Sequence, residues 1–316
     1  MSTIGVVVLT HNRALDLMET LSRMCALPER PRLVVVDNAS SDATAELVRT
    51  RFPDVDVVRL DVNAGAAGRN AGVARLDSTY VAFCDDDAWW APRALERAAA
   101  MLDAHPRLGL VCGRVLVGND DRPDAASAAM ARSPLPPVAD MPGTPILGFL
   151  CSASMVRRSA FLAVGGFEPR FFLGAEEELL AIDLAATGWA LAYVPDVVVH
   201  HHPSARRDAV RRGALLLRNA LWVAWLRRRL PDAVRRSASV LARTSSRRER
   251  TAAILAAIGG LPWVLRRRRV VPLYIEDALR RLDDEGYAER RRRRREVVGS
   301  GTDSGLASGS SNRLAR

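Results

Sequence analysis

Between residues 4 and 84 four short, mostly apolar stretches alternate with three segments whose apolar residues recur at helical spacing. The apolar stretches span 4–9, 33–36, 55–60 and 80–84. Leu15, Met18, Leu21 and Met24 follow the first at helical intervals, and Ala45, Leu47 and Val48 follow the second behind a capping-type Ser41. A further helix is expected over 68–76. Strands that are apolar on both sides cannot face water, so they predict a mostly parallel sheet with helices on both faces, the doubly wound α/β class. In such sheets ligands bind beyond the carboxyl ends of the strands. Here those ends are Thr10-His11-Asn12, Asp37-Asn38, Asp61-Val62-Asn63 and Asp85-Asp86-Asp87. Four strands in succession stop on side chains that can bind a polar ligand.

Farther along, the pattern predicts a helix over 92–104, a strand over 108–117 and a loop over 119–145, rich in Ala, Pro and Asp. A return to the sheet is expected over 146–156 and a turn-rich segment over 161–172. A helix over 176–187 ends at Gly188, and strands at 189–194 and 197–199 run into His200-His201-His202. Beyond Pro203 the chain turns arginine-rich. The net charge of +10 hides a division: residues 1–204 hold 18 Arg and 25 Asp and Glu, a net of −7, whereas 205–316 hold 28 Arg and 11 acids, a net of +17. An acidic body argues against nucleic-acid binding, and no nucleic-acid partner is expected. The division suggests a catalytic domain over 1–204, a basic amphipathic helical extension over 205–298, and a Gly/Ser-rich, disordered tail over 299–316.

Two readings of the extension stand side by side. Arg207, Arg211 and Arg218 share one helical face, and Trp222, Trp225 and Trp263 lie near arginine runs, which suits an anionic membrane surface. Equally, these helices can pack on the sheet as an ordinary helical layer. RNA binding through the run 290–295 is less favoured, since no nucleic-acid fold accompanies it. The four cysteines lack metal or disulfide spacing and suit buried thiols in a reducing compartment. The N-terminus has no basic leader, and the longest uncharged runs, 141–156 and 251–265, are broken by Gly and Pro. A spanning helix needs roughly 20 apolar residues, so a cytoplasmic chain is expected, with peripheral attachment to the inner face of the cell membrane under the first reading.

Three adjacent carboxylates at 85–87 repel one another, and a divalent cation relieves that repulsion. Asp85 and Asp87 lie two apart and can share a face; a solvated turn before the next helix is the plainer reading. Asp37, at the end of the second strand, suits hydrogen bonds from a ribose or base edge, while Ser41 or Asp42 caps the following helix. The glycine-rich stretch 65–72 resembles a phosphate-binding helix start but lacks both G-x-G-x-x-G and G-K-[ST]. Of Glu176-Glu177-Glu178, one or two can face a site and one suffices as a general base. Alternation sends His200 and His202 to one face and His201 to the other, and an imidazole would complete a mixed oxygen–nitrogen site suited to Mn2+ or Mg2+.

Taken in order, these pieces resemble family 2 glycosyltransferases of the GT-A fold, over residues 5–204 and more loosely to 231. The carriers are Val6 to Arg13, Val35 to Asp42, Asn63-x-Gly65, Gly68-Arg69-Asn70-x-Gly72, Phe83 to Asp87, Arg157 to Phe161, Val164 to Phe167, Phe171-Phe172 with Glu176-Glu177, and Pro195, His201 and Ser204. Among relatives the chain looks most like bacterial rhamnosyl- and galactofuranosyltransferases of cell-surface polysaccharides. The resemblance implies that Asp37 binds the donor nucleoside, with Thr10 and Asn12 nearby and Arg69 and Asn70 beside the base and diphosphate. Asp85 and Asp87 match the family's D-x-D, with Asp87 the main metal ligand and Asp85 and Asp86 also beside the donor. In the family's closing motif the histidine lies six residues after the proline, which by resemblance selects His201, after Pro195, as a metal ligand. Glu177 stands where the family usually carries an Asp base, with Glu176 and Glu178 as alternates. The implied activity is inverting, metal-dependent transfer from a nucleotide-diphosphate sugar to a glycan or lipid-linked acceptor. Two rivals are a sugar-nucleotide nucleotidyltransferase, which should carry a glycine-rich loop and a basic residue after Leu9, and a non-catalytic membrane- or RNA-tethered scaffold.

Overall fold

In β1 (Ile4–Thr10) successive side chains enter two different cores: Val6 and Val8 pack into one apolar cluster, Val7 into the other. A strand apolar at every position is therefore covered on both faces. The computed structural model describes residues 2–203 and 212–286.

The chain continues as α1 (Ala14–Cys25), β2 (Arg32–Asp37), α2 (Thr44–Arg51), β3 (Asp56–Arg59), α3 (Arg69–Arg75), β4 (Tyr80–Asp85), β5 (Ala88–Trp90), α4 (Ala94–Ala104) and β6 (Leu108–Val117). Then come β7 (Arg122–Pro123), α5 (Ala125–Ala131), β8 (Thr144–Pro145), β9 (Ser154–Arg157), α6 (Arg158–Ala163), α7 (Glu176–Ala186) and β10 (Ala190–His201). The extension holds α8 (Arg212–Arg227), α9 (Leu230–Arg243), α10 (Arg247–Gly259), α11 (Leu261–Arg267) and α12 (273–286). One sheet runs β3-β2-β1-β4-β9-β6-β10-β5. Its first four strands are parallel, as are β6 and β10, while β9 and β5 run antiparallel to their neighbours. The register sets Thr10 beside Asp37, and Leu9 beside Asp85, so three strand ends meet at one edge.

Several expectations need correction. Residues 88–90 form β5, which reverses directly after the acid triplet and pairs with the end of β10, His201 opposite Ala88. The span 119–145 is not a bare loop: Asp124 caps α5 by accepting the N–H groups of Ala126 and Ser127, and β7 and β8 join the sheet. The strand expected over 146–156 is confined to β9. The two strands before the histidines are one, β10, whose register shifts between Val194 and Val198 around Pro195. Ser41 does not cap α2; the Asp42 carboxylate accepts the Thr44 N–H at 3.0 Å. Leu15 is 85% exposed, and Leu17 takes its place in the core. Three cysteines are buried but Cys25 is exposed.

The extension packs on the sheet. Trp222 and Trp263, which the membrane reading places at an interface, are buried in the same cluster as Phe171, Leu179 and Leu180. Many of its arginines meet acids: Arg227 pairs with Asp183, Arg228 with Glu276 and Asp283, and Arg236 with Asp283 and Glu178. Of the described helices, none is long and apolar enough to cross a membrane. Arg207, Arg211, the run 290–295 and the tail 299–316 lie outside the described residues.

Candidate active site

The three carboxylates at the end of β4 meet different partners. Asp85 Oδ1 accepts a hydrogen bond from Arg69 Nη2 at 2.5 Å. Asp86 accepts from Thr10 Oγ1 at 2.9 Å and from Arg13 Nη1 at 3.1 Å. Burial pushes the Asp86 carboxyl up to about 7, against the pull of Arg13. Asp87 accepts from the same Arg13 nitrogen at 3.0 Å, and its Oδ1 lies 3.3 Å from His201 Nε2. Two guanidinium groups thus hold together a triplet that would otherwise repel itself. Strand alternation separates the histidines: His201 meets Asp87, whereas His200 pairs with Asp121 and both His200 and His202 lie against Trp89. Asp87 and His201 form a mixed oxygen–nitrogen pair whose chemistry fits Mn2+ or Mg2+. Among the described residues no group of three or more His, Cys, Asp or Glu surrounds one such point; Asp85, the third residue of the expected set, is held by Arg69 at 2.5 Å.

At the end of β2, Asp37 is fully buried. Its Oδ1 accepts the Ser40 N–H at 2.9 Å; its Oδ2 accepts no hydrogen bond and faces Arg59 Nε at 3.6 Å. A buried carboxylate oxygen lacking a donor at a strand's carboxyl end is chemically ready for a ligand N–H or O–H. Asn12 lies at the surface, where its Oδ1 accepts the Ser41 N–H at 2.7 Å and ties β1 to the loop after β2. Asn70, expected beside the donor, has its amide committed at both ends to the Phe167 backbone, at 2.8 and 3.0 Å. The glycine-rich stretch is used for close approach within the protein. Gly65 has φ +59°, and a Cβ there would stand 2.0 Å from the Phe172 carbonyl oxygen, which accepts the Ala66 N–H. A Cβ at Gly72 would meet Val7 at 2.5 Å, so its absence seats α3 on the sheet.

The glutamate triplet opens α7 after a constrained loop. Phe172, Gly174 and Ala175 all have positive φ, a conformation that costs about 1–3 kcal/mol at a non-glycine residue. The loop is held from α8. Asn219, fully buried, donates to the carbonyls of Phe171, Leu173 and Gly174 at 2.8, 3.0 and 2.7 Å, and Arg218 donates to those of Arg170 and Phe171. The three glutamates then part. Glu178 pairs with Arg236 at 3.6 Å. Glu176 is buried and its Oε2 accepts no hydrogen bond. Glu177 is half-buried and shares its surroundings with Arg69, Asp85 and Glu176. Burial raises its carboxyl above the usual range and the Glu176 carboxylate adds to the shift, with Arg69 opposing. Arg69 therefore links the two halves of the expected site. No sequence pattern assigns Arg13, Arg218 or Asn219 a place at the site. Asn38, buried, bridges Ala64 and Gly65 at 2.8 and 3.0 Å; only its place at a strand end hinted at a role.

Comparison with known proteins bears on the family and the fold. The family model for glycosyl transferase family 2 matches residues 5–165. An N-acetylglucosaminyl-diphospho-decaprenol L-rhamnosyltransferase of Mycobacterium tuberculosis is 28% identical over 233 residues, covering 62% of this chain and 75% of that protein. Among solved structures, Staphylococcus aureus TarS 1–349 in complex with UDP-GlcNAc matches with a TM-score of 0.60 at 17% identity, covering 87% of this chain and 83% of that one. The chain spans 39% of a longer TarS structure. A mannosyltransferase from Pyrobaculum calidifontis in complex with GDP-Man and Mn2+ matches with a TM-score of 0.52 at 21% identity, covering 89% and 85%. At such identities the likeness to the two solved structures is one of fold, the GT-A type.

Proposed function

The chain belongs to glycosyl transferase family 2, and on that premise we propose that it moves a sugar, a deoxyhexose such as rhamnose, from a nucleotide-diphosphate donor to a hydroxyl of a glycan or lipid-linked acceptor, with inversion and with a divalent cation. The observation that carries the reading is geometric: the ends of β1, β2 and β4 meet at one edge, where Asp37 keeps a buried carboxylate oxygen without a hydrogen-bond donor and Asp87 lies 3.3 Å from His201. The rhamnosyl donor and lipid-linked acceptor are supported by the activity for which the mycobacterial relative is named. Catalysis is on the cytoplasmic side, with the acceptor presented at an anionic membrane surface.

Each residue has a part in this reaction. Asp37 Oδ2 accepts a hydrogen bond from the nucleoside, with Thr10 and Asn12 shaping the same edge. Asp87 and His201 would hold a divalent cation, which would supply charge to offset the departing diphosphate. Arg69 and Arg13 keep the carboxylates ordered beside that charge. Glu177 takes the proton of the acceptor hydroxyl as it attacks the anomeric carbon from the face opposite the leaving diphosphate. Glu177 is favoured over Glu176, which is buried, and over Glu178, which is paired to Arg236. General-base assistance of this kind is worth roughly 10²–10⁴ in rate.

Thermal unfolding with a panel of nucleotide sugars, with and without Mn2+, tests the donor half of the proposal. A ligand at a hundred times its Kd stabilises the native state by about 2.7 kcal/mol. One nucleotide sugar should raise Tm, more strongly with Mn2+. A flat response to every nucleotide sugar would favour the scaffold reading.

A further inference from the structure

We propose that the outer face of α10 and α11 is a docking surface for an anionic lipid bilayer. On α10, Ile254, Leu255 and Ile258 point outward, the last two 65% and 59% exposed. On α11, Leu261 and Leu265 continue the same apolar ridge, Leu265 being 58% exposed. The helices meet at Gly260, and their inner sides, Ala253, Trp263 and Val264, are buried. Single exposed leucines are ordinary on a protein surface. Five large apolar side chains gathered on two consecutive helices make a patch of the kind that marks an interaction surface.

Charge selects the occupant. Between 247 and 275 the chain carries seven arginines and one acid, Glu249. Arg247 and Arg248 open α10, Arg266 and Arg267 close α11, and Arg269 follows; all five are exposed. An apolar ridge edged at both ends by exposed guanidinium groups matches the acyl–headgroup boundary of an anionic leaflet. The remainder of the chain is a poor cover, since its run 290–295 is six arginines and would be repelled by the same edges. None of the described helices can cross a bilayer, so the ridge lies along the surface.

The surface is joined to the site through one layer of helix. Trp263 and Trp222 pack on Phe171 with ring centroids 6.4 and 6.0 Å away, and the carbonyl of Phe171 is held by Asn219 at the entry to α7. The outer side of α11 is thus separated from the entry to α7 by the thickness of one helix, about 10–12 Å. This purpose rests on the lipid-linked acceptor of the proposed function; the surface itself does not.

The test is flotation of the full chain with vesicles of phosphatidylcholine alone or mixed with phosphatidylglycerol. Wild type should bind the mixed vesicles at least about tenfold more tightly than the neutral ones, and less tightly at high salt. The variant Leu255→Glu/Ile258→Glu/Leu265→Glu changes only exposed positions and should lose about tenfold or more, with its donor-induced rise in Tm intact. A second variant, Arg266→Ser/Arg267→Ser/Arg269→Ser, should lose the preference for anionic lipid while keeping its fold. Wild-type indifference to phosphatidylglycerol, or unchanged binding by the glutamate variant, overturns the proposal and in the second case assigns binding to the run 290–295. A concentration-dependent dimer abolished by the glutamate substitutions would assign the ridge to a second copy and overturn it likewise. Vesicle binding without any donor response would leave the surface standing and the proposed reaction fallen; the reverse result would do the opposite.

Discussion

At Glu177 burial favours the neutral acid, and the adjacent Glu176 carboxylate adds to that preference. A base works only when ionised, so transfer should fall as pH drops through this raised value, well above the ordinary carboxylate range of about 4.3. Stability runs the other way. An acid whose folded pKa is raised binds its proton more tightly when folded; the stability this contributes is full below the unfolded pKa and is lost as pH rises through the folded one. Glu177→Gln removes that dependence. The variant should lose transfer by about 10²–10⁴, retain the donor-induced rise in Tm, and exceed wild type in Tm by a margin that widens from mildly acidic to mildly basic pH. Normal turnover by the variant would remove Glu177 from the reaction. His201→Ala should weaken the extra stabilisation that Mn2+ gives to a bound donor, because Asp87 is left as the cation's protein ligand, while the metal-free increment stays, since Asp37 and the strand edge that receive the nucleoside are untouched. Much at this scale was legible: the acid triplet and Asp37 are marked by their strand ends, alternation put His201 on a different face from His200 and His202, and the family's proline-to-histidine spacing selected it. Arg13 and Arg69 were harder to read, because the partner of each guanidinium is fixed by which strands are neighbours in the sheet.

The element that decides the position of the base is the entry to α7. Its positive-φ residues Phe172 and Ala175 are held from outside, by Asn219 and Arg218 on α8. Asn219→Ala leaves three loop carbonyls without that donor, a loss of about 1–3 kcal/mol for buried groups. Its effect should be uneven. The rate constant for transfer should drop at least about tenfold, as a small misplacement of a reacting group does, while the donor KM stays close to wild type because Asp37, Asp87 and His201 sit on other elements. A variant that loses stability alone, with kcat per folded molecule unchanged, would reduce Asn219 to a structural role. Sequence patterning could find α7 from its apolar spacing but not this clamp, whose two sides lie 45 to 48 residues apart. Likewise β5 is three residues long and α5 seven, too short for periodicity to declare; pairing with β10 and the Asp124 cap create them.

Across the whole molecule, the division of charge into an acidic body and a basic extension describes two parts that share a core. Phe171, Leu179 and Leu180 belong to one cluster with Trp222, Trp263, Val271, Ile275 and Leu279, and Glu178 and Asp183 of α7 pair with arginines of α8 and α9. Part of the +17 is therefore matched internally. At the centre, Arg228 is buried between Glu276, also buried, and Asp283. Removing one partner of such a pair leaves an uncompensated buried charge and costs about 3–5 kcal/mol, whereas replacing both with apolar groups is often neutral. Arg228→Met should lower Tm sharply, and Arg228→Met with Glu276→Leu should recover much of the loss. The same shared core predicts that a chain ending at 204 does not fold by itself: it would expose Phe171, Leu179 and Leu180 and leave the entry to α7 without Asn219. Full-length protein should unfold in one cooperative transition seen equally by tryptophan fluorescence, which reports on Trp222 and Trp263 as well as Trp89 and Trp90, and by circular dichroism. A cooperative transition and donor binding in the 1–204 fragment would instead make the extension a separable appendage, and would return its arginines to the role that charge alone suggests.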